Sequence, residues 1–240
     1  MTKIMTNQVN INLMERQRRS KDLGIEGMAA RWYDSNTRKY RLAEMKGYAK
    51  EVARYITEGS SVLEVAPGPG YLAIELAKMG NFRITGLDIS RDFVEIAKRN
   101  AREAGVKVEF RQGNVTGIPF SDDTFDFIVC TAAFKNFKEP VNALSEMHRV
   151  LKPGGTTLIV DMNRNASDQQ IQDYTKSIGV TGVDKLLLKL MLKYFLRKGA
   201  YTREEFIELI SKSAFKEYHQ IKEEGIGFYL YLVKRGAAVP

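Results

Sequence analysis

The period of apolar positions changes several times along the chain, and each change marks an element. Between Met28 and about Ile56 the large apolar and aromatic residues recur at helical spacing, with Trp32, Tyr33, Tyr40, Leu42, Met45, Tyr48 and Val52 prominent. An alternation follows. SVLEVA, FRITGLDIS, VKVEFRQGN, FDFIVCTAA and TTLIVDM read as buried strands. Between them YLAIELAKMG, stopped by Gly80, DFVEIAKRNAREAG, ending at Gly105, and PVNALSEMHRVLK read as helices. Strands separated by helices of this length predict an α/β fold with a doubly wound, mainly parallel sheet. Residues from about Ala166 to Ala200 interrupt the scheme with the apolar helical segment VDKLLLKLMLKYFLRK. The chain then returns to a helix, YTREEFIELISKSA, and two strands, KEYHQIKEE and GFYLYLVKR, joined by a hairpin turn at EEGIG.

Composition narrows the class without naming a function. With 240 residues, 44% hydrophobic and 28% charged, the chain can bury a full core without disulfides or a structural metal. Its single cysteine, Cys130, lies in the strand FDFIVC and reads as a buried residue. No Cys/His cluster has zinc-site spacing, so no metal is expected, and a reducing, cytoplasmic setting fits best. The N-terminus lacks the apolar core of a signal peptide, and no apolar run approaches the ~20 residues of a membrane span. The net charge of +8 raises nucleic acid or an anionic surface as partners. Part of it is the cluster Arg16, Arg18, Arg19 and Lys21 in a segment that reads as a flexible leader. The rest is scattered among acidic residues, and no nucleic-acid partner is expected.

The chemistry begins at Glu64-Val65-Ala66-Pro67-Gly68-Pro69-Gly70, a glycine-rich turn between the first core strand and its helix. Gly68 and Gly70 let a ligand approach the backbone, and the loose dinucleotide pattern is satisfied, so NAD has to be weighed. Glu64, at the C-terminal end of the strand, suits a cationic ligand such as S-adenosylmethionine and would repel a pyrophosphate. Asp88 ends the second strand at a distance that fits a carboxylate accepting from ribose hydroxyls. Its alternative role is an N-cap for the helix around Asp92, for which Ser90 serves equally. Asn114, after the third strand, offers an acceptor to an adenine amino group, with Val115 and Ile89 against the ring faces. Leu151-Lys152-Pro153-Gly154-Gly155 reads as a tight structural turn into the fifth strand.

In order, EVAPGPG, GLDIS, GNVTGIPF, FDFIVC and RVLKPGG resemble the class I (Rossmann-like) S-adenosylmethionine-dependent methyltransferases, in particular the ubiquinone/menaquinone type. The resemblance covers about residues 60–162. It implies a seven-stranded sheet with S-adenosylmethionine above the glycine turn, yielding S-adenosylhomocysteine, and Thr131 joins the cofactor residues. Ala66 stands where the family usually has glycine, and Asn114 where many members have Asp. The organisation then reads as a flexible basic leader (1–24), an N-terminal helical lid (25–57), a cofactor-binding core (58–165), a helical cap insertion (166–200) and a C-terminal helix and hairpin completing the sheet (201–236).

Transfer of a methyl group to a small, apolar or aromatic molecule is the leading function, driven mainly by alignment of donor and acceptor. An RNA or protein methyltransferase and a non-catalytic cofactor-binding protein are the alternatives. Neither His148, in a structural position, nor His219, in the penultimate strand, is a convincing base. Candidate acceptor-site residues are Tyr33, Lys135, Asn136 and Asp161, with Trp32 and Tyr33 either closing over the cofactor or packing their helix on the sheet. In the insertion, Lys185, Lys189, Lys193 and Arg197 make one narrow basic stripe at i, i+4 spacing. So apolar a helix is expected to bury most of its circumference. A cap lining a hydrophobic acceptor pocket ranks first, a homodimer contact through residues 183–198 second, and a peripheral membrane contact third.

Overall fold

The computed structural model describes residues 23–217 and 219–236; the basic cluster of the leader lies outside them. Seven strands form one sheet: β1 (Ser61–Val65), β2 (Arg83–Asp88), β3 (Glu109–Gln112), β4 (Phe125–Thr131), β5 (Leu151–Met162), β6 (Gln220–Glu224) and β7 (Gly227–Val233). Their order is β3-β2-β1-β4-β5-β7-β6. The first five run parallel, and β7 inserts antiparallel beside β5, with Thr156 opposite Val233 and Met162 opposite Gly227. Because β2 and β4 flank β1, the order reverses at β1. That switch leaves a crevice at the strands' C-terminal ends, where open α/β sheets bind ligands.

Before the sheet come α1 (Gly27–Asn36), a π-helical turn (Thr37–Arg41) and α2 (Leu42–Ala53). Within it lie α3 (Tyr71–Ala77), α4 (Arg91–Glu103) and α5 (Pro140–Val150). The insertion supplies α6 (Asp168–Ser177) and α7 (Gly182–Leu190), which continues through a π-helical turn (Met191–Leu196) into Arg197–Gly199. α8 (Arg203–Lys212) precedes the hairpin. Both faces of the central strands are covered, so β1 and β4 are buried almost throughout, whereas the edge strands β3 and β6 are largely polar and exposed. On β4, Phe127 and Val129 enter the layer under α2, α3 and α4, while Ile128 and Cys130 enter the layer under α5 and α8. Met45, Ala49 and Val52 carry α2 onto the first layer; Ala143, Leu144, Met147 and Val150 carry α5 onto the second.

Three expectations change. The KPGG stretch is not a turn before β5 but a bulge within it: Phe125 pairs with Leu151, yet Phe127 pairs with Thr156. Gly154 N donates to Lys234 O and Lys234 N to Gly155 O, which ties the bulge to the chain after β7. β6 starts only at Gln220. The largest change is α7. None of its residues Gly182–Leu190 is buried, and only Leu192 is buried in the π-helical turn. Leu188, Leu192 and Leu196 share a small cluster with Met162, Ile171, Tyr174 and Ile226, and polar contacts to Tyr40, Asp168 and Gln172 hold the helix from the side.

Candidate active site

The glycine turn leaves β1 through three left-handed residues, Ala66 (φ 55°), Gly68 (φ 56°) and Gly70 (φ 81°). A Cβ at Gly68 would meet only Tyr33 Cε1, at 3.8 Å, so the loop is open there. Gly70 differs. A Cβ there would strike Phe110 at 2.7 Å and Ala97 at 2.9 Å, so close packing of the loop on α4 and β3 adds to its left-handed backbone in requiring glycine. The usual glycine at position 66 also has a physical reason, since a left-handed alanine costs about 1 kcal/mol.

Acidic and amide side chains bind this loop to the sheet. Gly68 N donates to Asp88 Oδ2 (2.9 Å) and Ser90 N to Asp88 Oδ1 (2.9 Å). Each carboxylate oxygen keeps a lone pair for a further donor. Burial raises the Asp88 pKa, and the two backbone donors work against that rise. Ser90, not Asp88, caps α4, accepting from Phe93 N. Asn114 Oδ1 accepts from Thr116 N. Glu64 lies beneath the turn, where its Oε2 accepts from Ala73 N in the first turn of α3. Burial pushes its pKa up to about 8, with Asp88 adding to the rise. That burial disfavours the charged form of Glu64, which weakens the argument from its charge against a pyrophosphate.

A cavity of about 940 Å³ opens over the C-terminal ends of β1, β2 and β4. Ala66, Gly68, Asp88, Ile89, Asn114, Val115 and Thr131 line it at one end; Glu64 and Gly70 stand behind. Tyr33, Lys135, Asn136 and Asp161 line it too, whereas His148 and His219 do not. Lys135 and Asp161 form a buried ion pair at the floor: Lys135 Nζ donates to Asp161 Oδ1 (3.0 Å) and to Ala132 O (2.6 Å). Asp161 also accepts from the backbone of Lys135 and Met162. Tyr33 packs edge-on against Phe93, and Trp32 stays exposed, so neither ring reaches the sheet. Asn163 is structural, donating to Glu223 and accepting from Asn165 N.

The roof holds a cluster that the sequence reading missed. Arg41 donates from Nε to Glu44 Oε2 (2.7 Å) and from Nη1 to Tyr33 OH (3.1 Å). Tyr48 OH donates to Glu44 Oε1 (2.7 Å) and Tyr174 OH to Glu44 Oε2 (3.3 Å). Burial works against the Arg41 charge, but Glu44, with Tyr33 and Tyr174, holds its pKa well above the ordinary value. Burial raises Tyr48 strongly and Tyr174 to about 12, so both hydroxyls remain donors. Thr157 Oγ1 is the sole buried side-chain N or O without a partner among the described residues. Arg41 also lines the cavity, so its guanidinium stands at the wall between Glu44 and Tyr33. A signal was present, because Arg41, Glu44 and Tyr48 share one face of a helix at i, i+3 and i+7.

Residues 62–155 match the model of the methyltransferase domain. The chain is 33% identical over 202 residues to the ubiquinone/menaquinone biosynthesis C-methyltransferase of Bdellovibrio bacteriovorus, covering 77% of this chain and 83% of that one. The chain belongs to the class I S-adenosylmethionine-dependent methyltransferases. This methyltransferase is also 27% identical over 219 residues to the ubiquinone biosynthesis O-methyltransferase of Aliivibrio fischeri, covering 89% and 87% of the two chains. Among solved structures, an S-adenosyl-L-methionine-dependent methyltransferase of Methanococcus maripaludis superposes with a TM-score of 0.74 at 25% identity, covering 89% of this chain and 95% of that one. The methyltransferase's own site fits the cofactor: Gly68 leaves the loop open, Asp88 offers free lone pairs, and Arg41 brings a cationic guanidinium to the cavity wall.

Proposed function

We propose that this methyltransferase acts on a small aromatic acceptor of the phenol or quinol type. One observation carries the reading. A single cavity joins the glycine turn to the Lys135–Asp161 pair and the Glu44 cluster, beneath a wall of Leu187, Leu188, Met191, Leu192 and Leu196. Polar groups at floor and roof with an apolar wall suit a ring that carries oxygens. The names of the Bdellovibrio and Aliivibrio relatives, both placed in quinone biosynthesis, support the same class.

In this reading Asp88 accepts from the ribose, Ile89 and Val115 hold the adenine faces, Asn114 accepts from the amino group, and Arg41 donates to the methionine carboxylate. Bound S-adenosylmethionine supplies an electrophilic methyl group on a cationic sulfur. The chain's part is then alignment and exclusion of water. The third N–H of Lys135 is left for an acceptor oxygen, stabilising negative charge there, while Tyr33 and Asn136 limit the acceptor's position. Residues 25–57 act as lid and 166–200 as cap. A cytoplasmic setting belongs to the same reading, supported by the single, fully buried Cys130.

Labelled S-adenosylmethionine offered with phenols, quinols, thiols, amines and RNA should place label on a phenol or quinol. Label recovered on amines or RNA alone would overturn the substrate class.

A further inference from the structure

The insertion helix is built the wrong way round for water. Val183, Leu186, Leu187, Leu190, Tyr194 and Phe195 keep between 41% and 74% of their surface exposed. They fall at i, i+3, i+4 and i+7 through Leu190, and Tyr194 and Phe195 follow within the wider π-helical turn. Apart from the exposed Lys198, the basic side chains on the same helix are the more covered ones. Lys193 and Arg197 both turn onto Asp168 of α6, Arg197 also donates to Ala166 O, and Lys189 donates to Gln172. An exposed helix that met only water would show the opposite arrangement. Isolated exposed leucines are ordinary, but a continuous stripe of six is a contact surface.

A second apolar edge lies across the cavity mouth. Met28 and Trp32 on α1 are exposed, and Tyr40 OH donates to Asp184 Oδ2 in the first turn of α7, joining the two edges. Trp32 and Leu187 are each both exposed and part of the cavity wall, so the mouth opens between these edges.

Charge decides what covers the stripe. From Gly182 to Gly199 the helix carries Lys185, Lys189, Lys193, Arg197 and Lys198 against Asp184 alone. Lys185, Lys189 and Lys198 have no carboxylate within salt-bridge distance among the described residues. A second copy laid stripe to stripe would bring a second set of these cations to the same seam, with one Asp184 from each copy to offset them. An anionic bilayer instead takes the leucines and aromatic rings into its acyl boundary and the flanking cations at its headgroups.

We infer that α7, with the exposed edge of α1, is a docking surface for anionic membranes that sets the cavity mouth against the lipid interface. It stands on exposure and charge, whatever the acceptor proves to be. The test is co-sedimentation of the full chain with vesicles of phosphatidylcholine alone and of phosphatidylcholine mixed with phosphatidylglycerol. Wild type should sediment with the anionic vesicles, weakly with the neutral ones, and less as salt rises. Leu186→Ser with Phe195→Ser should weaken binding about tenfold or more. Lys185→Glu with Lys189→Glu should do the same, at about fivefold or more per lysine. All four side chains lie outside the cofactor end, so both double variants should keep the wild-type melting shift with S-adenosylhomocysteine. Absence of sedimentation, or sedimentation unaffected by both variants, would overturn the inference. So would a wild-type dimer in analytical ultracentrifugation that Leu186→Ser/Phe195→Ser splits without any vesicle binding.

Discussion

At the glycine-turn end of the cavity the polar side chains are tied to backbone, and over short spans of sequence. Asp88 reaches Gly68 N across 20 positions, Glu64 reaches Ala73 N across 9, and Asn114 and Asp88 each accept from the residue two further on. At the roof and cap, side chains bind side chains across the chain. Tyr174 meets Glu44 over 130 positions and Tyr40 meets Asp184 over 144. The first arrangement fixes a loop whose amides are already satisfied, so the cofactor meets a preorganised surface. The second links separate helices through hydroxyls and carboxylates, with only Leu192 buried along α7. Such contacts part at low cost, and the low-burial elements of a fold are the ones that open first. One end holds and the other admits.

Asp88→Ala should break this contrast most severely. It removes the acceptor for Gly68 N and Ser90 N together with the proposed ribose contact. Hydrogen bonds to a charged group are each worth ~1.5–3 kcal/mol, so S-adenosylhomocysteine affinity should fall on the order of 100-fold by calorimetry. His148→Ala should leave it within about twofold, because that ring packs edge-on against Phe215, away from the cavity. Comparable losses in two folded variants would mean that the cofactor lies elsewhere.

Arg41→Gln comes next and probes the join between the two ends. If the guanidinium holds the methionine carboxylate, S-adenosylhomocysteine should bind ~10-fold more weakly, by the same scale for a charged hydrogen bond. 5′-Methylthioadenosine, which lacks the amino-acid end, should bind equally to both proteins. An equal loss for both ligands would show instead that Arg41 merely supports Tyr33 and Glu44.

The contrast also explains what the sequence could reveal. Strand and helix periods, the glycine turn and Asp88 were legible because each depends on neighbours a few residues away. The seven-stranded, mainly parallel sheet accordingly matches the expectation. The Glu44 cluster was half legible: Arg41, Glu44 and Tyr48 share a helix face, but Tyr174 arrives from the insertion. Glu64 was legible as a residue but not as a charge, since its burial, with Asp88 nearby, is set by the fold and raises its pKa. For α7 the composition demands apolar company, but in the described structure Val183, Leu186, Leu187 and Leu190 stay exposed. The pattern of a helix does not say how much of its circumference the rest of the fold can cover.

Glu64 supplies a pH test of the rigid end. Its folded pKa, about 8, lies above the ordinary 4.5 expected of the unfolded chain. Between these values the folded protein holds a proton that the unfolded chain has lost, so stability is full below the lower value and falls as pH rises towards the higher one. Denaturant melts of wild type and Glu64→Gln across this window should diverge, with wild type losing at most ~1.4 kcal/mol per pH unit relative to the variant. Parallel profiles would place the Glu64 carboxyl in a wetter setting than its burial beneath the loop allows.

The smallest effect tests whether the rigid end is as well satisfied as its loop implies. Thr157 lies on β5 between Ile128 of β4 and Leu232 of β7 and is fully buried, yet its Oγ1 has no partner. By strand alternation with Ile159 it faces the apolar layer under α5 and α8. A buried hydroxyl without a hydrogen bond costs about 1 kcal/mol or more, and valine has the same shape without the oxygen. Thr157→Val should therefore raise the melting temperature by about 2–4 °C, the shift expected of ~1 kcal/mol in a domain of this size. Affinity for S-adenosylhomocysteine should not change, because Thr157 touches neither the turn nor the cavity. Amide exchange separates the two regions further. The strands should slow in the variant, since they open only when the whole sheet unfolds, while α7 should exchange at the wild-type rate. Equal slowing of strands and α7 would mean that cap and sheet unfold as one unit, and the contrast between a fixed cofactor end and an opening roof would not hold.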